Sequence, residues 1–536
     1  MAREDQLSQL DKSLGQALAG QGQVLFVTGD AGSGKSTLVQ EFTRRAQEDQ
    51  SDLIVAGGHC NAQCGLGDPF LPFAEVLSLL TGDIEAKWAG GAISRENAGR
   101  LWALAPVSIP VLMEFGPDLI DTFVSGSRLR SRLTVLAVTP GTPAGSDRVD
   151  DRTRLERLLS RQQAGRERTN FQQRDLFGQY LAVLQALATK QPLLLLLEDL
   201  HWAAPSSISL LFHLGRHLGG SQILVVGTYR PEDVAVGWNE GIHPLVEVIS
   251  EFKRDFGEMS LNLDQVIQRE GRRFVDTLLD TQPNRLEEQF RQTLFLHTGG
   301  HPLFTIELLR DMEERGDLQQ DPTGTWVAGP TLDWTTLSPR VEGVIQKRIG
   351  RLPAELRRAL RVASVEGESF TAEVVARVQA VDETELIRRL SAELVRQHRL
   401  VTSPSVEWVG SQPLSRYRFR HQVFQQYLYQ TLDEVERRQL HQAVGQTLET
   451  LYREQVGPVA AQLAGHFQAA GNAEKALDYF IQAGTRACRL SGYEEAIDQF
   501  QRGLAILNTL PNTPGRMKQE SILEISLAKA MKARKS

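Results

Sequence analysis

The sequence predicts an α/β core with a parallel sheet and a phosphate-binding loop, followed by an all-α lid, a winged-helix domain and an α-helical repeat segment. Three observations carry this expectation. A glycine-rich loop at residues 29–36 sits between an apolar run and a helical pattern. Five consecutive leucines, 193–197, end in two carboxylates. Near the carboxyl end, EKALDYF (474–480) and EEAIDQF (494–500) repeat one pattern 20 residues apart.

Length and composition bound the rest. A chain of 536 residues exceeds one ordinary core, so several domains are expected. Hydrophobic residues at 41% and charged residues at 23% are ordinary for a soluble globular protein. A net charge of −7 argues against a chain that coats nucleic acid or an acidic membrane. The three cysteines are Cys60, Cys64 and Cys488, a sparse usage that fits a reducing cytoplasm. Cys60 and Cys64 with His59 invite a metal reading, but no second ligand cluster completes a four-ligand set, so no metal is expected there. The amino terminus is charged from its third residue, unlike a secretory signal. The leucine run falls far short of the roughly 20 residues that span a bilayer. A soluble, cytoplasmic protein without a membrane partner is the expectation.

The loop reads Gly29, Asp30, Ala31, Gly32, Ser33, Gly34, Lys35, Ser36, a full match to G-x-x-x-x-G-K-[ST]. Upstream, VLFVT reads as a buried strand. Downstream, Leu38, Val39, Phe42 and Ala46 recur at helical spacing, so the loop opens a helix. Glycines let backbone N–H groups converge on phosphate oxygens, and the helix start adds partial positive charge. Lys35 is expected on the β- and γ-phosphates, the Ser36 hydroxyl on Mg²⁺ and Thr37 along the α-phosphate of ATP or ADP.

Such a site also needs carboxylates at a strand end. Glu198 and Asp199 close the leucine run, and buried acids need partners. The pair is assigned to Mg²⁺ and to positioning the attacking water, with the division between them open. A further strand, ILVVGTYRPED, ends in Arg230. Because ligands bind at the carboxyl ends of strands in α/β sheets, Arg230 is a candidate γ-phosphate sensor; the alternative is a solvated turn arginine. Lys35, Glu198, Asp199 and Arg230 form the candidate catalytic set.

Strands near 24–28, 53–57, 194–198 and 223–228 alternate with helical patterns, and EMSLNL (258–263) reads as a fifth. Residues 84–190 are largely helical by pattern, broken by a loop at 139–151, and suggest no chemistry of their own. Asp264 suits the cap of the helix that follows the fifth strand. Gly300, His301 and Pro302 precede another helix, where proline is common in the first turn. Residues 337–430 read as three helices and a hairpin, VEWV and YRFRH joined by GSQPLS, in winged-helix order. From Arg340 to Leu400 there are 12 Lys or Arg against 9 Asp or Glu. That balance gives no basic groove-reading face, so direct DNA binding is not expected. The terminal pattern G-Y-x-x-A-x-x-x-F places Gly at a turn, Ala where helices approach and an aromatic in the gap.

These motifs, in this order, resemble the bacterial STAND-type AAA ATPases, signal-transduction ATPases with numerous domains. Their ATPase module groups with origin-recognition-like AAA domains and occurs in large LuxR-type regulators and cyclase-fused sensors. The resemblance extends over essentially the whole chain through GDAGSGKST, EDLHWAAP, GTYRPED and GGHPLFTIELL. One departure is Ala204, where the family's HWAD run usually carries Asp. The resemblance implies a P-loop NTPase core of the AAA type at 1–238, a lid at 239–336, a winged helix at 337–430 and tetratricopeptide-like repeats at 431–536. It implies that Pro302 packs near the adenine. It also implies that the winged helix closes over the nucleotide with His421 on the ADP β-phosphate, although Arg420 and Gln422 depart from the flanking residues of that element. The implied activity is slow, regulatory ATP hydrolysis in a switch that is off with ADP and on with ATP. The implied partners are a protein or small-molecule signal at the repeats and further copies of the chain in a nucleotide-dependent oligomer. Two other readings compete: a LuxR-like transcriptional regulator, which needs a separate DNA-binding helix-turn-helix, and a conventional AAA motor or loader, which needs an arginine finger. Two repeats fall short of the roughly three that a stable array needs, so a longer natural protein is expected.

Overall fold

The computed structural model describes residues 3–60, 69–138, 147–165, 173–236, 242–329, 332, 334, 341–402, 405–410, 412–511 and 514–535. Helix α1 (Glu4–Leu18) leads into β1 (Gln23–Thr28), and the phosphate loop then opens α2 (Lys35–Asp49). β2 (Ile54–His59) and α3 (Leu71–Leu80) follow. The insertion contributes α4 (Glu85–Ala89), α5 (Arg95–Phe115), α6 (Gly126–Val138), α7 (Asp147–Gly165) and α8 (Gln173–Ala188). The core continues with β3 (Leu193–Glu198), α9 (Pro205–His217), β4 (Ile223–Tyr229), α10 (Pro231–Val236), α11 (Pro244–Phe256) and β5 (Ser260–Asn262).

The five strands pair in parallel in the order β2-β3-β4-β1-β5. Alternation explains why the strands read as unbroken apolar runs. Val24, Phe26, Leu195 and Leu197 enter the core on one face, while Leu25, Val27, Leu194 and Leu224 enter a separate core on the other. Each leucine buried in this way contributes roughly 1.5–3 kcal/mol. That burial fixes the register which delivers Glu198 to the strand end. Because β4 lies between β3 and β1, Arg230 emerges between the acids and the phosphate loop.

The fifth strand is shorter than its sequence pattern suggests, because Leu263 already begins α12 (Leu263–Leu279). Asn262, not Asp264, caps that helix: its Oδ1 accepts from the N–H groups of Asp264 and Gln265. Although both lie within the segment read as lid, β5 joins the core sheet and α11 buries Leu245, Val248 and Phe252 in the core. The remaining lid elements are α13 (Glu288–Thr298), α14 (Pro302–Arg315), β6 (Leu318–Gln320) and β7 (Trp326–Ala328). The lid is therefore not wholly α-helical. Its β6–β7 hairpin is closed by Asp321, whose N–H donates to Thr325 O at 2.9 Å and whose carboxylate accepts from the Thr323 N–H at 2.8 Å.

The winged helix comprises α15 (Val341–Gly350), α16 (Ala354–Glu366), β8 (Ser369–Thr371), α17 (Ala372–Gln379), α18 (Glu383–Arg389), a π-helical stretch at 390–397, β9 (Ser405–Val409), β10 (Gln412–Arg418) and α19 (Gln422–Gln430). Its sheet has the order β8-β10-β9, one strand more than the expected hairpin. The expected GSQPLS connection shrinks because β10 already starts at Gln412. Buried acids tie the lid to this domain: Glu307 pairs with Arg348, and Asp311 with Arg351 at 2.9 Å.

Helices α20 (Glu434–Tyr452), α21 (Ala460–Ala470), α22 (Ala473–Arg489), α23 (Tyr493–Leu507) and α24 (Pro514–Lys535) stack in sequence. Ala476, Phe480, Ala496 and Phe500 are all buried, as the repeat pattern requires. A Cβ at Gly484 would lie 2.5 Å from the Phe500 ring, so glycine sets the spacing of α22 and α23. Among the described residues no helix is long and apolar enough to cross a membrane.

Candidate nucleotide site

The phosphate loop leads directly into the start of α2. Gly32 and Gly34 take left-handed conformations, φ 81° and 96°, which side chains rarely adopt. Lys35 is buried, and its Nζ donates to Gly29 O at 2.6 Å and Asp30 O at 2.9 Å. Burial first, then Arg230, brings its ammonium down to about 8. Ser36 and Thr37 are exposed at the helix start, and the Ser33 hydroxyl is buried without a hydrogen-bond partner among the described residues. The Asp264 carboxylate braces the loop from outside, accepting from the Asp30 N–H at 3.0 and 3.2 Å. Arg3 reaches the far side, 3.4 Å from Ser33 O.

The two acids are separated by their partners. Glu198 stands nearest the loop, where its Oε2 accepts from Ser36 Oγ at 3.4 Å. His59, its register partner on β2, lies 3.5 Å from Glu198 Oε1 and 3.5 Å from Glu75. Lys87 of the insertion closes this chain on Glu75 at 2.7 Å. Burial opposes charge on Glu198, yet His59 overrides it and holds the carboxyl down to about 2. Burial likewise opposes charge on His59, and Glu198 with Glu75 lifts it to about 9.

Asp199 turns the other way. It adopts a left-handed backbone, φ 59°, anchored by its N–H on Thr228 Oγ1 at 3.0 Å. Its Oδ2 accepts from Arg418 Nη2 at 2.9 Å, and Arg418 also holds Glu368 of the winged helix at 3.0 Å. Arg230 faces Lys35 across the site, its Nε buried without a hydrogen-bond partner among the described residues and its Nη1 3.5 Å from Asp233.

The lid packs directly on the loop. Leu303 N–H donates to Gly32 O at 3.2 Å, and a Cβ on Gly32 would strike Leu303 at 2.6 Å and His301 at 3.1 Å. His301 caps α14, its Nδ1 accepting from the Phe304 N–H at 3.4 Å, with Pro302 as the buried first residue of the helix. Burial lowers His301, with Asp264 and Asp30 opposing. His421 precedes α19 and faces the same region. Burial, then Arg420, Arg310, Arg348 and His301, brings it down to about 4, so its imidazole is neutral near pH 7.

The fold thus brings Lys35, Ser36, Glu198, Asp199 and Arg230 to one end of the sheet. Pro302 begins α14, whose next residue Leu303 touches the loop, and His421 immediately precedes α19. Cys64 of the weighed metal reading lies outside the described residues. Cys60 is buried with a free thiol, and among the described residues no group of three or more His, Cys, Asp or Glu is arranged to hold a metal. His59 was visible in sequence only as a possible metal ligand, and its place beside Glu198 follows from strand register. Glu75, Lys87 and Arg418 carried no local signal, and the cap pattern at Asp264 pointed to a different role from the one it takes on Asp30. The buried Ser33 hydroxyl and Arg230 Nε, neither with a hydrogen-bond partner among the described residues, and the Ser36–Glu198 proximity fit a nucleoside polyphosphate with Mg²⁺.

Residues 1–226 of this chain match the family model for the AAA ATPase domain. A functionally uncharacterized protein of Rhizobium meliloti (strain 1021) is 24% identical over 506 residues, which cover 92% of this chain and 41% of that protein. The chain therefore spans about two fifths of that relative's length. The crystal structure of a signal transduction ATPase with numerous domains and a tetratricopeptide repeat sensor, from Pyrococcus horikoshii, aligns over 98% of this chain and 64% of that one, with a TM-score of 0.41 and 12% identity.

Proposed function

We propose that this chain is a STAND-type nucleotide switch, closed around ADP and opened by a signal at the repeats, with ATP hydrolysis slow and regulatory. The observation that carries the reading is Arg418 of the winged helix paired with Asp199 at 2.9 Å. A continuously cycling motor needs its second strand-end acid free to orient water. Here that acid is engaged by another domain. The winged helix is engaged as well, since β9 packs against α4 of the insertion, which favours a closure role over DNA reading.

In this reading Lys35 binds the terminal phosphates, and Arg230 reports whether the γ-phosphate is present. Glu198, beside Ser36, faces the metal position, and Asp199 orients the attacking water once Arg418 withdraws. Mg²⁺, when bound with the nucleotide, neutralises charge on the phosphates. Pro302 bounds the base, and His421 closes the phosphate side from the winged helix. Opening exposes surface for assembly with further copies of the chain.

Denaturing the purified protein and identifying the released nucleotide tests this. Close to one ADP per chain is the expected result. An empty site accompanied by rapid basal ATP hydrolysis would sink the switch.

A further inference from the structure

Residues 199–206 connect the strand-end acids to helix α9, and two distant domains hold this segment at its two ends. Arg418 of the winged helix grips Asp199. At the other end, Ser206 donates twice to Glu495 of the repeats: its N–H to Oε1 at 2.9 Å and its hydroxyl to the same oxygen at 2.7 Å.

Helix geometry explains what Glu495 supplies. The first N–H groups of a helix have no partner within it, and a side-chain oxygen at the N-cap normally accepts from one of them. The N-cap of α9 is Ala204, which has no such oxygen, and the first helical residue is Pro205, which has no N–H. Ser206 is therefore the first residue of α9 with a donor to satisfy. Glu495, 289 residues away in the chain, fills the missing cap. The contact is tight and dry. Glu495 is 1% exposed and its Oε2 has no hydrogen-bond partner among the described residues. A buried carboxylate satisfied on one oxygen is costly to hold, so this contact suits release better than permanence. Beside it, Gly492 lets the α22–α23 turn sit against the core: a Cβ there would come 2.5 Å from Pro69 Cγ.

We propose that Glu495 is a positioning residue for the acid-bearing segment, capping α9 from the repeat array and so stabilising the arrangement in which Arg418 holds Asp199. A partner that draws the array away uncaps α9, loosens residues 199–206 and frees the acid. The regulatory direction rests on the switch reading above; the capping contact does not.

Steady-state hydrolysis by the full chain tests this. Glu495→Ala raises kcat by about fivefold, the rate equivalent of one lost helix cap, while KM for ATP stays the same. Glu495→Gln, which keeps an acceptor oxygen, retains most of the wild-type rate. Gly492→Ala, whose Cβ would come 2.5 Å from Pro69 Cγ and 2.8 Å from Glu495 Oε2, displaces the same turn while keeping the carboxylate in the chain and raises kcat in the same way, so the test does not depend on one variant folding. Combining Glu495→Ala with Arg418→Ala gives no more than the larger single effect, since both act on one segment. Unchanged or lower turnover in Glu495→Ala and Gly492→Ala would overturn the proposal, as would effects that multiply in the double variant. A rise in Glu495→Ala with none in Arg418→Ala would keep the cap and remove the winged-helix grip.

Discussion

Lys35 lies in the loop with its ammonium on the carbonyls of Gly29 and Asp30, where it braces the cradle that phosphates would enter. Its place is decided by burial against α2 and by the left-handed glycines that turn the loop around it. Lys35→Ala removes the only cation inside the cradle sequence and abolishes nucleotide binding, measured by equilibrium dialysis with ATP and ADP. The same loss is expected under any function of the site, so this substitution tests the site alone. At this scale the loop residues were legible, because a phosphate cradle is built from neighbours in sequence. Asp264 was misjudged for the opposite reason. Its pattern suits a helix cap, but Asn262 takes that role and leaves the carboxylate free to reach Asp30, 234 residues earlier.

Among the elements, the repeat helices carry a buried pair with a pH signature. His441 of α20 and His466 of α21 lie Nδ1 to Nδ1 at 2.9 Å, and His441 Nε2 meets the Tyr429 hydroxyl at 3.0 Å. Burial, with Arg437 beside it, brings His441 down to about 4, and burial with His441 brings His466 down to about 3. Both folded values lie below the unfolded value of about 6.5, so the unfolded chain takes up more protons between them. The stability this pair supports is fully present above about pH 6.5 and is lost as the pH falls toward 4. Thermal unfolding followed from about pH 7 to about pH 5 shows a falling midpoint, and His466→Gln flattens that slope; an unaltered slope would remove the pair from the account. The helices themselves were readable from alanine and aromatic spacing. The histidine pair was not, since its members sit 25 residues apart on helices whose facing sides only the packing determines. The third strand of the winged helix was likewise hidden, because Ser369–Thr371 is too short to show a period.

For the whole molecule, the parallel sheet and the helical carboxyl-terminal region were legible from motifs, whereas the contacts between distant segments were not. The ATPase core presents its acids at one sheet end, and two later domains return to that end: Arg418 from the winged helix and Glu495 from the repeats. Each contact joins residues more than 200 positions apart, so neither spacing nor composition reveals it. In the proposed switch the closed arrangement restrains hydrolysis by holding Asp199. Arg418→Ala removes that hold while leaving Lys35, Ser36 and Glu198 in place. The most direct measurement is the steady-state ATPase rate of Arg418→Ala beside the parent chain, both loaded with ATP and Mg²⁺. The account predicts a kcat raised by about tenfold, the equivalent of about 1.4 kcal/mol of lost restraint. A rate equal to or below that of the parent, in a variant that still binds ATP, would contradict it.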